Sequence, residues 1–75
     1  MRDLLDRMAR ALVEHPDAVS VTEEEKGDTL YLRLHVADSD MGKVIGKSGR
    51  IAKSLRQVLS AAAAREHLRV IVDIG

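Results

Sequence analysis

Residues 44–51 read Val-Ile-Gly-Lys-Ser-Gly-Arg-Ile and contain the strongest signal in the chain. The two glycines, Gly46 and Gly49, stand three residues apart between an apolar pair and a basic residue. Glycine has no Cβ and adopts positive φ readily, so this spacing predicts a tight turn that another molecule can approach closely. The residues between them, Lys47 and Ser48, supply a cation and a hydroxyl group. Together these features favour an anionic, backbone-like ligand such as a phosphodiester chain.

The residues on both sides of this turn predict helices. Before it, the acidic and hydroxyl side chains of residues 38–40 can cap a one-turn helix over residues 41–45. After it, apolar residues recur at helical spacing: Ile51, Leu55, Val58, Leu59 and Ala62. A helix that restarts near Arg50 directs its free N–H groups and the positive end of its dipole toward the turn. The predicted unit is a helix, a Gly-Lys-Ser-Gly loop and a second helix.

This unit, with a strand before it and a strand after it, resembles the KH (K-homology) RNA-binding domain, whose GxxG loop clamps about four backbone nucleotides. The run over residues 40–56 and the alanine-rich helix end that follows are similar to the KhpA family of small bacterial proteins that consist of one KH domain. The resemblance covers essentially the whole chain. It implies that residues 1–75 form a single KH domain of class α+β, with a type II KH-like fold.

The resemblance also implies a site for single-stranded RNA. The loop amides and the Lys47 ammonium would meet phosphate oxygens, while the bases turn inward over an apolar groove. By analogy with the family, that groove is formed by Val44, Ile45, Ala52 and the edge strand. The implied RNA-binding residues are Lys43, Val44, Ile45, Gly46, Lys47, Ser48, Gly49, Arg50 and Lys53.

The remaining elements predict the order helix, strand, strand, helix, helix, strand. The apolar stripe of the first helix, which ends before Pro16, consists of Leu4, Leu5, Met8, Ala11 and Leu12. Residues 19–36 alternate as a hairpin with a charged turn over residues 23–28, and residues 68–74 form an apolar last strand. A right-handed crossover through the central helices makes the second and third strands parallel neighbours. We therefore expect a three-stranded mixed sheet covered by three helices.

The formal net charge is zero, but the charges are unevenly distributed. Residues 1–40 carry five Lys or Arg against ten Asp or Glu, a balance of minus five, and residues 41–75 carry seven against two, a balance of plus five. No acidic residue stands between Asp40 and Glu66. A basic run of this kind is often the solvated face of an amphipathic helix. Because it coincides here with the paired glycines, it favours a polyanionic ligand.

Composition narrows the function classes. The chain has no cysteine, and its three histidines, His15, His35 and His67, are scattered singly, so we expect no metal and no cofactor. No constellation of acid, base and nucleophile is visible, which predicts a binding protein and not an enzyme. There is no apolar run of about 20 residues and no signal peptide, so we expect a cytoplasmic protein without membrane contact.

Two other classes share parts of this pattern. Residues 42–48 nearly spell the Walker A loop of a nucleotide triphosphatase, but the spacing is one residue short and the apolar pair inside it demands burial. A helix-turn-helix also joins two helices by a glycine-containing turn, but here the second helix uses its apolar residues on the core and ends in four alanines. Lys53, Arg56 and Gln57 could still contact nucleic acid, which leaves DNA open as a ligand.

Binding by one such domain should be weak, so partners belong to the prediction. The resemblance implies homodimers, heterodimers with a larger KhpB (Jag-like) protein, and a role as an RNA chaperone or post-transcriptional regulator that affects growth and cell shape. Ala61, Ala63 and Ala64 would let another helix approach closely, although they equally suit a helix end of high propensity. The alternative function is a KH-fold protein-interaction module that acts mainly by dimerising with a larger RNA-binding partner.

Overall fold

The computed structural model describes residues 1–46 and 49–75. In chain order, its elements are α1 (Arg2–Leu12), one turn of 3-10 helix (Pro16–Ala18), β1 (Ser20–Lys26), β2 (Thr29–His35), α2 (Asp38–Arg65) and β3 (Arg69–Ile74). The predicted α+β class is confirmed, as is the order in which two helical segments separate the hairpin from the last strand.

The three strands form one mixed sheet in the order β1-β2-β3. β1 pairs with β2 antiparallel, and Val21 lies opposite Leu34. β2 pairs with β3 parallel, and Leu32 lies opposite Val72, so the predicted parallel pairing is confirmed. The inward-facing residues of β2 are buried while their neighbours along the strand are exposed, as expected for a sheet with helices on one face. β3 is therefore an edge strand that lies beside α2.

The hairpin turn is tighter than the sequence predicts. β1 continues through the three glutamates of residues 23–25 as far as Lys26, so the expected six-residue turn is wrong. The turn consists of Gly27 and Asp28, and Gly27 has a φ of 61°. Glycine suits the first position of a two-residue hairpin turn because that position requires positive φ. The glutamates remain compatible with a strand because β1 is an edge strand whose side chains are mostly exposed.

α2 is a single run of helical residues with a change of direction inside it. Gly49 has a φ of 66°, which a right-handed α-helix cannot accommodate, so two helical segments meet at this residue. The helix begins at Asp38 with Ala37 as the N-cap residue, and the predicted cap over residues 38–40 is wrong. Residues 38–40 form the first turn of the helix instead, where the carboxylates of Asp38 and Asp40 interact favourably with the positive end of the helix dipole.

The core lies between the inner face of the sheet and the two helices. Its buried residues are Leu5, Ala9, Val19, Val21, Leu32, Leu34, Val36, Val44, Leu55, Leu59 and Val72. The predicted helical stripes are only partly confirmed, since Leu4, Leu12 and Val58 are exposed.

The end of α2 turns the chain sharply into β3. His67 has a φ of 60°, and the N–H groups of His67 and Leu68 donate to the carbonyl oxygens of Ala64 and Ala63 at 3.1 and 2.9 Å. This pair of hydrogen bonds is the Schellman arrangement that ends many helices. After this turn β3 runs along the side of α2, and the groove described below lies between these two elements.

Candidate nucleic-acid interface

An open groove of about 710 Å³ runs between α2 and the edge strand β3. It is lined by Ile45, Gly49, Ala52, Lys53, Arg56, Gln57, Ser60 and Ile74. The floor of the groove is apolar, and its walls carry cationic and amide side chains. A groove of this composition accommodates a flat, partly polar group such as a nucleobase, with anionic groups near its rim.

The apolar pair before the first glycine divides between the groove and the core. The side chain of Ile45 lines the groove and the residue is 49 % exposed. Val44 is 1 % exposed and belongs to the core. Its expected place in the groove must therefore be corrected to a place behind it, where it supports the turn. Ala52 lines the groove although it is largely buried, as the KH resemblance implies.

The two glycines of the turn leave room for a ligand. A Cβ added at Gly46 or at Gly49 would meet nothing of the described protein within 4 Å. Only Gly49 has the positive φ that favours glycine. Packing within the protein therefore does not require glycine at position 46. This is expected if the glycine serves instead to let a ligand approach the backbone closely. Lys47 and Ser48, the predicted ligand contacts between the glycines, lie outside the described residues.

The predicted cations do not all face the groove. Lys53 lines it, and Arg50 is exposed immediately after Gly49. Lys43 lies on the side of α1, where its Nζ is 3.9 Å from the Glu14 Oε1. Because both of these side chains are exposed, the pair contributes little to stability and leaves Lys43 able to reach a ligand.

Four groove residues lie outside the predicted set of RNA-binding residues, although the sequence indicates Arg56 and Gln57 as possible nucleic-acid contacts. Arg56, Gln57 and Ser60 come from the second segment of α2, and Ile74 comes from β3. The Arg56 Nε and Nη2 atoms donate to the Val72 carbonyl oxygen at 3.4 and 3.3 Å. The helical spacing of Lys53, Arg56 and Ser60 could have indicated their shared face. The contact to β3 spans 16 residues and has no local signal.

Asp40 anchors the start of α2 to the end of α1. Asp40 is 1 % exposed, and its carboxylate accepts hydrogen bonds from the Glu14 and His15 backbone N–H groups, both at 3.0 Å. Burial acts to raise the pKa of Asp40, but these two hydrogen bonds, with the nearby charges of His15 and Lys43, outweigh it and leave the pKa below its usual value. The ionised carboxylate therefore positions the segment of α2 that leads into the glycine turn.

Two further features bear on the kind of site. Over residues 1–46 and 49–75, no group of three or more His, Cys, Asp or Glu side chains could hold a metal ion. In the same ranges, no helix is long and apolar enough to cross a membrane.

The helix and strand order, the positive-φ glycine between two helical segments and the groove beside an edge strand define a KH domain of type II. A family model described as KhpA/KhpB, KH domain matches residues 2–74. The chain belongs to this family. Members of this KH-domain family are non-catalytic, and membership confirms the expectation that the chain is not an enzyme.

Relatives of high similarity share nearly the full length of the chain. The RNA-binding protein KhpA of Halalkalibacterium halodurans is 51 % identical over 74 residues, which cover 99 % of this chain and 97 % of the relative. The RNA-binding protein KhpA of Clostridium acetobutylicum is also 51 % identical, over 99 % of both chains. The protein of the same name from Aquifex aeolicus is 40 % identical over 99 % of this chain and 94 % of its own.

Proposed function

We propose that this protein binds single-stranded RNA, without catalysis, at the turn between Gly46 and Gly49 and in the adjoining groove. The observation that carries the proposal is the open groove between α2 and β3, which begins at a glycine turn and has cations at its rim. The relatives named RNA-binding protein KhpA support RNA as the ligand. In this proposal residues 1–75 act as a single KH domain.

The RNA backbone crosses the glycine turn. Its phosphates come close to the main chain at Gly46 and Gly49, where no side chain intervenes. Lys47 and Ser48 contact these phosphates, and Arg50, Lys53 and Lys43 add positive charge around them. The bases then enter the groove over Ile45 and Ala52.

Recognition of the bases relies on shape and hydrogen bonds. Tyr31 is the only aromatic residue of the chain, and it does not line this groove. The broad stacking platforms of RRM and OB folds are therefore not available to this protein. Ile45, Ala52 and Ile74 supply a narrow apolar floor, and the polar side chains of α2 supply donors along one wall.

The few phosphate contacts imply weak binding by one domain, so association with a second KH domain strengthens it through avidity. The family model covers both KhpA and KhpB, which supports a KhpB-type protein as one partner. A second copy of this chain is the other proposed partner. The exposed side of α2 at Val58 and Ala61 offers a small apolar surface for this contact. Such an assembly acts in the cytoplasm as an RNA chaperone or post-transcriptional regulator of growth and cell shape.

A salt titration tests the proposed function. Short single-stranded RNA and a duplex of the same sequence are titrated with the protein by fluorescence anisotropy at several salt concentrations. We expect micromolar binding of the single strand, weaker binding of the duplex, and a slope of log K against log salt of roughly −1.4 to −2.8, from about two to four phosphate contacts. Equal affinity for both RNAs, or a slope near zero, would contradict the proposal.

A further inference from the structure

Arg56 lines the groove beside β3 and contacts a backbone carbonyl of that strand. The Arg69 N–H donates to the Asp28 carbonyl oxygen at 2.8 Å, and the Gly75 N–H donates to the Leu34 carbonyl oxygen at 3.0 Å, both on the β2 side. Because successive residues of a strand point their polar groups to opposite edges, the C=O of Val72 faces the free edge of β3. Arg56 reaches this carbonyl with two of its nitrogen atoms.

This contact changes what the groove offers to a base. A free backbone carbonyl accepts a hydrogen bond from the exocyclic amine of adenine or cytosine. When the Arg56 guanidinium already donates to the Val72 oxygen, a base amine that approaches the same oxygen as a second donor meets the positive charge of the arginine. Arg56 itself has five N–H donors, of which two point at Val72. The others remain for a ligand, as far as the described residues are concerned, so this wall presents donors where an edge strand would present an acceptor.

From this geometry we infer that Arg56 is a specificity-determining residue that selects a base edge with two acceptors, as guanine presents at O6 and N7. Arginine is the side chain whose planar fork fits that edge in a bidentate manner. The hydrogen bonds to Val72 hold the fork at the wall of the groove and so reduce the freedom it loses on binding. The inference rests on the proposed function, because it assigns a base preference to the same groove.

The test uses oligouridine of about eight nucleotides with a single central G, A or C, and oligouridine itself as the reference. We expect the wild-type protein to bind the G-containing strand about fivefold more tightly than the A- or C-containing strand. In Arg56→Ala the preference for G should disappear, and the A- and C-containing strands should bind at least as well, because the Val72 carbonyl is then free. Circular dichroism establishes that the variant is folded.

Two further variants separate base reading from charge. Arg56→Lys keeps the charge but not the fork, so it should keep the salt dependence and lose the preference for G. Lys53→Ala removes a cation that lines the same groove and should weaken binding to all four strands alike. An equal loss on all strands in Arg56→Ala, no change in it, or a wild-type preference for A or C would overturn the inference. Failure of the wild type to bind any strand would instead refute the proposed function, and the inference with it.

Discussion

Replacing Lys47 and Ser48 together by Asp should lower the affinity for single-stranded RNA by about 100-fold. One positive charge is lost and two negative charges are added where the proposed phosphates lie, and each change costs about 1 kcal/mol for charges a few Å apart near water. Both glycines are retained, so circular dichroism should show an unchanged fold. The affinity is measured by fluorescence anisotropy at low salt, where the effect is largest.

A matched control separates the loop from the overall charge. Lys26→Asp with Ser20→Asp makes the same change in composition on β1, at the edge of the sheet opposite β3. Both positions are exposed, so the fold should tolerate the change. We expect the control to bind RNA within about threefold of the wild type, since distant charges are screened. A similar loss in both variants would show that net charge alone governs the binding.

Replacing Asp40 by Asn should produce the largest loss of stability among single substitutions of the charged residues. The carboxylate accepts from two backbone N–H groups, whereas an amide offers one acceptor and turns an NH2 group toward the second donor. One buried donor is then left unpaired, and we expect the melting temperature to fall by about 5–10 °C. Asp38→Asn is the matched control, because it removes an exposed carboxylate from the same helical turn.

The pH dependence of the same variant checks the cause. Because the pKa of Asp40 is lowered in the folded protein, its contribution to stability is present above its usual pKa and is lost as the pH falls through the folded value. The difference in melting temperature between wild type and Asp40→Asn should therefore be full at neutral pH and shrink below about pH 4. A difference that is unchanged at low pH would show that the charge of Asp40 is not what stabilises the helix junction.

The fold could be predicted because its signals are local and periodic. The alternation along β2, the helical spacing after Gly49 and the two glycines each require only a few neighbouring residues to be recognised. The parallel pairing of β2 and β3 followed from the handedness of the crossover. The hairpin turn could not be placed in this way. Glutamates are depleted in strands in general, and residues 23–25 are tolerated only because β1 is an exposed edge.

The site could be predicted in outline but not in its walls. Which of Val44 and Ile45 faces the core depends on the rotation of a short helical segment, and the hydrophobicity of the two residues is nearly equal. The hydrogen bonds of Asp40 join residues that are separated by 25 and 26 positions in the sequence. The contact of Arg56 to β3 spans 16 positions. Such contacts arise from tertiary packing, and no local sequence pattern predicts them.

The most direct test of RNA binding at the glycine turn is a comparison of Gly46→Ala with Gly42→Ala. Both glycines lie in the first segment of α2 with open space around a new Cβ, so either change should stabilise the helix by about 0.5–1 kcal/mol. We expect Gly42→Ala to bind single-stranded RNA like the wild type. Gly46→Ala should lose about tenfold or more in affinity, because its methyl group displaces the phosphate from the backbone. Equal affinities for the two variants would contradict binding at the turn.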